Sequence, residues 1–342
     1  MFCKDDLLMV KKNATMGDIA KAMNVSTVTV SKALGDKEGV SDALRERIKR
    51  KAEEMGYRFR NGERVSFAGL NRNIGIVAAK SVVGDPLSLY WELYKHIVEL
   101  LRKQEFYGML EVFDDSGNNS ADIPLLVREG KADGLILIGQ FPDDYTEKLI
   151  SSYVPVVFLD FCRSRADADM VISDGFFGAY TLTSHLIANG HRRIGFVGNI
   201  SGIPCVRDRY LGFYRALLEN RLQLRPEWVV SDRAGMCGPY DPASLPTAFV
   251  CGSDETAYNL VNTLTDNGLR VPDDISVVGY DNHTYSTMCR PHLTTMDINS
   301  FALASEAVDI ILHKIRDRGF SRGVTLISGK LVRRDSVKNL FA

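Results

Sequence analysis

"VSTVTVSKALG", residues 25–35, is crowded with β-branched residues that favour strands, yet polar and apolar positions do not alternate in it as a half-buried strand requires. Its neighbours settle the reading. In "TMGDIAKAM", residues 15–23, Thr15 with Asp18 three positions later has the form of a helix-starting cap, and Met16, Ile19, Ala20 and Met23 share one helical face. Asn24 suits a tight left-handed turn, and Ser26 is placed to cap a second helix. In that helix Val30, Ala33 and Leu34 point inward, which leaves Thr27, Val28, Ser31 and Lys32 on the outward face. A third helix follows, capped by Ser41, striped by Leu44, Ile48, Ala52 and Met55, and ended by Gly56. Its surface carries Arg45, Arg47, Lys49, Arg50 and Lys51.

Two short helices joined by a tight turn and braced by a third make a helix-turn-helix arrangement. A helix lying in the DNA major groove needs short side chains where the backbone approaches, hydroxyls for phosphates or base edges, a cation for guanine and a methyl-bearing surface for thymine. Thr27, Val28, Ser31 and Lys32 supply that set, and a small helical domain with a polar face is the plainer alternative. Charge agrees with an anionic partner for this part alone. Residues 1–64 hold 14 Lys and Arg against 10 Asp and Glu, a surplus of four in a chain whose net charge is −1.

The stretch "TMGDIAKAMNVSTVTVSKAL…GVSDALRERIKRKAEEMGY" resembles the amino-terminal domain of the lactose-repressor (LacI/GalR) family of bacterial transcription regulators, without a gap from Thr15 to Tyr57. The resemblance implies that Thr27, Val28 and Lys32 read bases and that Thr15, Ser26, Thr29, Ser31 and Ser41 anchor phosphates. Lys32 stands where the family usually has Arg, so a flexible point charge replaces a two-pronged guanine contact. Gly35 likewise replaces a common Asn. Family members usually begin a few residues before the first helix, which makes Met9 an alternative start.

Residues 1–57 are therefore expected to form the DNA-binding domain and residues 58–73, "RFRNGERVSFAGLNRN", a linker. In the resembling family the linker becomes a hinge helix that begins with Pro-Asn and wedges a leucine into the minor groove. Here Phe59 and Arg60 replace Pro-Asn, and Ser66 holds the wedge position. Val65, Phe67 or Leu70 are substitutes of the right character. A plain tether whose arginines, Arg64 among them, contact phosphates is the other reading.

From residue 74 short apolar runs alternate with helical patterns: "IGIVAA", "GMLEVF", "GLILIG", "VPVVFLD", "RIGFVG", "EWVVSD", "PTAFVCGSD" and "DISVVGYD". This alternation predicts an α/β fold of parallel sheets covered by helices, with four runs on either side of about residue 170 and hence two lobes. The expected division puts residues 74–165 and 293–320 in the first lobe and residues 166–292 and 321–342 in the second. Ligands of such sheets sit beyond the carboxyl ends of the strands. Asp114, Gly139, Asp160, Gly198 with Asn199, Asp232, Ser253 with Asp254, and Asp281 fall there. Carboxylates facing a cleft suit a polyhydroxylated ligand, although each taken alone reads better as a turn or cap aspartate.

The resemblance extends through this body, in "HLIANGHRRIGFVGN", "RDRYLGFYRALLE", "VPDDISVVGYDN" and "LVRRDSV", to the family's periplasmic-binding-protein-like effector domain. By position it implies that Asp160, Arg209, Ser253 and Asp281 contact a small effector, with Tyr90 and Phe161 as pocket walls. Arg209 lies three residues before Gly212 in an R-x-x-G-[FY] motif. One departure is "RAGMCGPYDPASLP" after Asp232, where the family has room for a helix and two prolines oppose one.

Other classes fit poorly. Neither GxxxxGK[ST] nor GxSxG occurs, and "GNISGIP" does not match a dinucleotide fingerprint, so neither an enzyme nor a cofactor is expected. Asp160 and Asp281 as a glycosidase pair are weaker than the same residues as sugar ligands. Six scattered cysteines with no CxxC suggest neither a metal site nor a disulfide framework. The amino terminus lacks a signal peptide and no run approaches 18 apolar residues, so a cytoplasmic location without membrane contact is expected. A transport protein for sugars needs a leader and no basic helix-turn-helix. The sequence therefore reads as an effector-responsive regulator, a repressor by default, working as a homodimer on pseudo-palindromic operator DNA under control of a carbohydrate. A sugar-binding module without specific DNA recognition is the alternative. No heptad tail for tetramers follows "VKNLFA".

Overall fold

A computed structural model of the chain describes residues 16–34, 39–55, 70–114, 123–160, 168–232 and 244–341, without the side chains of Met16, Ser31 and Glu53. The chain divides into two compact units at residue 70. In the first, α1 (Met16–Met23), α2 (Thr27–Leu34) and α3 (Asp42–Glu54) pack around Ile19, Ala20, Val30, Ala33, Leu34, Ile48 and Ala52. These are the inward positions read from the helical spacing, with Met23, Leu44 and Met55 half-buried beside them. Asn24 turns the chain at φ 52°, and the Ser26 hydroxyl accepts from the Thr29 N–H at 3.0 Å. The β-branched stretch is thus a helix, because its cap and its inward face outweigh a weak local preference for strand. The expected cap Thr15, the end at Gly56 and the linker up to residue 69 lie outside the described residues.

The second unit is α/β. It runs β1 (Asn73–Ala79), α4 (Lys80–Val83), α5 (Leu89–Lys103), β2 (Tyr107–Phe113), α6 (Leu125–Arg128), β3 (Gly134–Ile138), α7 (Asp143–Ile150), β4 (Val156–Leu159) and β5 (Asp169–Ser173). Then come α8 (Gly175–Ala188), β6 (Ile194–Val197), α9 (Pro204–Glu219), β7 (Val229–Val230), β8 (Ala248–Cys251), α10 (Asp254–Asp266) and β9 (Ser276–Val278). The chain finishes with α11 (Thr284–Met288), β10 (Thr295–Asp297), α12 (Ser300–Arg316), β11 (Val324–Ile327) and β12 (Lys330–Val332).

Each of the eight apolar runs contributes a strand, and the strands form two parallel sheets. The first has the order β11-β5-β4-β3-β1-β2, with α5 and α12 packed on it. The second has the order β7-β6-β8-β9. Single bridges from Val278 to Thr294 and from Asp281 to Asp297 extend it towards β10, which pairs antiparallel with β12.

The lobe boundaries differ from the expected ones. β5 and β11, which the sequence division gave to the second lobe, pair in parallel with each other and belong to the first sheet. The cause is the Asp169 carboxylate, fully buried at the start of β5. It accepts from the N–H groups of Arg322 and Gly323 and from the Ser321 hydroxyl, and it pairs with Lys314 of α12. A buried carboxylate persists only with partners of this kind, and here they carry β11 back to the first sheet. The first lobe therefore takes residues 71–173 and 299–327, and the second takes 174–298 and 328–341, so the chain crosses between them three times. The sequence pattern missed β10 and β12, which are only three residues long, β11, whose positions alternate between exposed and half-buried, and β5, whose short apolar run is bounded by Asp169 and Ser173. The segment after Asp232 falls at residues 233–243, outside the described residues.

Candidate nucleic-acid interface and ligand cleft

On the first unit the residues not used by the core are those assigned to recognition. Thr27, Val28 and Lys32 are exposed, and Val28 is 63% exposed although apolar. A valine left out of a small core is available for contact with a partner's apolar group, such as a thymine methyl. Ser26 and Thr29 are less free. Their hydroxyls lie 2.8 Å apart and form the cap of α2, so any phosphate contact has to share them. Ser41 is exposed, and its carbonyl accepts the first helical N–H of α3, from Arg45. Thr15, Arg64 and the Ser31 side chain lie outside the described residues.

In the second unit the carboxyl ends of the strands bring four of the expected residues together. Arg209, on the first turns of α9, is buried and forms an ion pair with Asp281 at 3.0 Å. It also donates to the carbonyl of Gly252 after β8 and lies with its guanidinium 3.8 Å from the centre of the Tyr280 ring. From the first lobe, the Tyr90 hydroxyl donates to Asp160 at 2.9 Å. The two pairs interact electrostatically across the cleft. Burial raises the pKa of Asp160 against the opposing pull of Arg209 and Tyr90. Burial likewise pushes Asp281 up to about 7, with Arg209 opposing and Asp160 adding to the rise. Tyr90 sits well above its ordinary value, first through burial and then through Asp160. Burial alone would lower the pKa of Arg209, but Asp281 and its neighbours outweigh this, so its charge is secure.

Local sequence explains the placement. Gly212 is the point where α9 crosses α8, and a Cβ there would stand 1.9 Å from the Phe176 carbonyl oxygen. The glycine of the R-x-x-G-[FY] motif thus permits the close approach that seats Arg209 one turn earlier. Asp160 and Asp281 turn out of β4 and β9 at φ 55° and 109°. Tyr90 stands in the first turn of α5, after the Ser88 cap. One expectation needs adjustment. Ser253 caps α10, accepting from the Thr256 N–H at 3.1 Å, so its hydroxyl is already engaged. Phe161 lies outside the described residues.

Sequence reasoning missed Tyr280. Its ring lies against Arg209, and its hydroxyl occupies the space above Gly178 and donates to the Asp174 carbonyl at 3.1 Å. Its position next to Asp281, just past the end of β9, was the available signal. Cys205 was also missed. It borders the same carboxylates, and burial pushes its thiol up to about 12. A cavity of about 210 Å³ lined by Val156, Phe158, Lys314 and Arg318 lies at the amino end of β4, whereas Asp160 lies at the carboxyl end. Among the described residues no cluster of His, Cys, Asp and Glu could hold a metal ion, and no helix is long and apolar enough to cross a membrane.

Comparison with known proteins gives this arrangement a family. The pattern of bacterial regulatory proteins of the lacI family matches residues 15–59, and that of the periplasmic binding protein-like domain matches residues 183–337. The chain belongs to the lacI family. Two relatives of this lacI-family chain carry the name HTH-type transcriptional repressor PurR. The one from Mannheimia succiniciproducens is 28% identical over 96% of this chain and 99% of its own length. The one from Aliivibrio salmonicida is 29% identical over 96% and 100%. Among solved structures, the transcriptional regulator CelR in complex with cellobiose superposes with a TM-score of 0.67 at 22% identity, over 94% of this chain and 99% of that one. The lac repressor dimer bound to operator and the anti-inducer ONPF gives 0.66 at 23%, over 96% and 100%. These likenesses agree with the family in fold.

Proposed function

We propose that this lacI-family protein is a transcriptional repressor that binds a two-fold-symmetric operator as a homodimer and is controlled by a small neutral, hydroxyl-rich effector held between its lobes. The observation that carries the effector reading is the convergence of Arg209–Asp281 from one lobe with Tyr90–Asp160 from the other. Among the described residues that converge there, two carboxylates face one guanidinium, a balance that favours a neutral ligand over a phosphate. The carboxylates offer several acceptors to hydroxyl donors, and Arg209 and the Tyr90 hydroxyl add donors. A sugar matches this set, and the fold neighbour solved with cellobiose supports it. Thr27, Val28 and Lys32 read bases, while Ser26, Thr29 and Ser41, with Thr15, Ser31 and Arg64, contact phosphates. The PurR relatives, named as repressors, support the sign of regulation.

A thermal-shift panel of neutral sugars, the corresponding sugar phosphates and nucleosides tests the effector. Stabilisation by a neutral sugar, lost in Asp160→Asn, is the expected result. Stabilisation confined to the phosphorylated members would contradict it.

A further inference from the structure

Asp281 sits on backbone that does not hold itself. It and Asn282 are consecutive non-glycine residues at φ 109° and 55°, a left-handed pair that persists only where its surroundings impose it. Asn282 is gripped from both sides. Its side-chain oxygen accepts from Arg334 at 2.6 Å, and its amide donates to Asp297 at 3.2 Å. Its N–H meets the Thr295 hydroxyl at 3.3 Å, and the Asp281 N–H donates to the Met296 carbonyl at 2.9 Å. On the far side the next residue, His283, donates its N–H to Asp254, which also accepts from Thr295. Arg334 is itself fixed, donating to the Leu293 carbonyl at 2.7 Å.

The grip leads out of the lobe. The other oxygen of Asp297 accepts from the N–H of Asn299 at 2.8 Å. Asn299 caps α12, which packs on the first sheet, so it stands at a crossover between lobes. Arg334 follows the last crossover. The residues that hold the loop bearing Asp281 thus stand beside or just after two of the three crossovers between the lobes.

We propose that Asn282, clasped between Arg334 and Asp297, is a positioning residue that sets the Asp281 carboxylate against Arg209 and ties it to the crossover at the start of α12. The consequence for signalling rests on the cleft being the effector site, whereas the positioning itself is testable without any ligand. Asn282→Gly keeps a residue that accepts the left-handed backbone and removes only the clasp.

The experiment compares thermal unfolding of the full-length protein from pH 4 to pH 8.5 in four forms: the natural chain, Asp281→Asn, Asn282→Gly and the double variant. Burial holds Asp281 at about 7, so the gain in stability from Asp281→Asn should grow with pH and level off near pH 7 when Asn282 is present. In the Asn282→Gly background the carboxylate is freed towards solvent, and the levelling should move below about pH 5, near the ordinary carboxylate range. Arg334→Gln leaves residue 282 untouched and should move the levelling in the same direction, which covers the case of Asn282→Gly failing to fold. Levelling at the same pH with and without the clasp would overturn the proposal. A ligand panel that finds no effector would instead count against the cleft reading and leave this result standing.

Discussion

The two units display the side chains proposed for recognition in opposite ways. On the helix-turn-helix, Thr27, Val28 and Lys32 are exposed, left over once the core has taken Val30, Ala33 and Leu34. In the cleft, Arg209, Asp160 and Asp281 are almost wholly enclosed and already paired. A surface that reads DNA must stay open, because the partner supplies the other half of every contact. A cleft that recognises a small molecule must fix its groups beforehand, and it uses burial, ion pairs and left-handed backbone to do so. Substitutions of Thr27, Val28 and Lys32 should therefore act on binding alone, and those of Arg209, Asp160 and Asp281 on stability and binding together.

The largest test of this contrast is Arg209→Ala. It leaves Asp281 buried without its partner and should cost on the order of 3–5 kcal/mol of effector-domain stability. Trp91 and Trp228, the only tryptophans of the chain, both lie in that domain, so denaturant unfolding followed by their fluorescence isolates it. A loss under about 1 kcal/mol, within the range of an ordinary surface substitution, would break the comparison.

Next in size for each residue is the dependence on pH. Asp281 and Asp254 are raised to about 7 and about 8, chiefly by burial, so the folded state holds their protons more tightly than the unfolded chain does. Their contribution is fully present below about pH 4 and is lost as pH rises through the folded values. The same fluorescence measurement should show the domain losing roughly 3–4 kcal/mol for each of these carboxylates between pH 4.5 and 8, a loss absent from the double variant Asp254→Asn, Asp281→Asn. A stability that rises over that interval would mean that these carboxylates are not enclosed as described.

Smaller effects are expected on the DNA-binding side. Lys32→Ala should relax preference at one base pair per half-site by ~1–3 kcal/mol, with thermal stability unchanged, as measured by competition between operator variants. Val28→Ala should be the mildest, with less than about 0.5 kcal/mol in stability because the side chain is exposed. Any loss of binding should be confined to sites bearing a thymine at the matching position.

How much of this was readable beforehand follows the same contrast. The three-helix unit was legible because its core, turn and caps are local: Asn24 and Ser26 stand where their side chains predict. Arg209, Asp160 and Asp281 were reached by resemblance and by their place at strand ends, but the sequence could not show that they pair with one another. Tyr280 beneath Arg209 and Asp169 at the root of β5 act through residues 71 and 145 or more positions away, such as Tyr280 with Arg209 and Asp169 with Lys314, and no local pattern reports that. The lobe boundaries failed for the same reason, since a buried carboxylate and not a hydrophobic period decides where β11 goes.

The exposed face of α2 is proposed to read sequence and not merely to hold phosphates. Selection from random duplex DNA with the purified protein, run at low and at high salt, tests it most directly, because phosphate contacts alone fade as salt rises. The account predicts a two-fold-symmetric site that survives the high-salt rounds. Binding that collapses with salt and enriches no motif would contradict it.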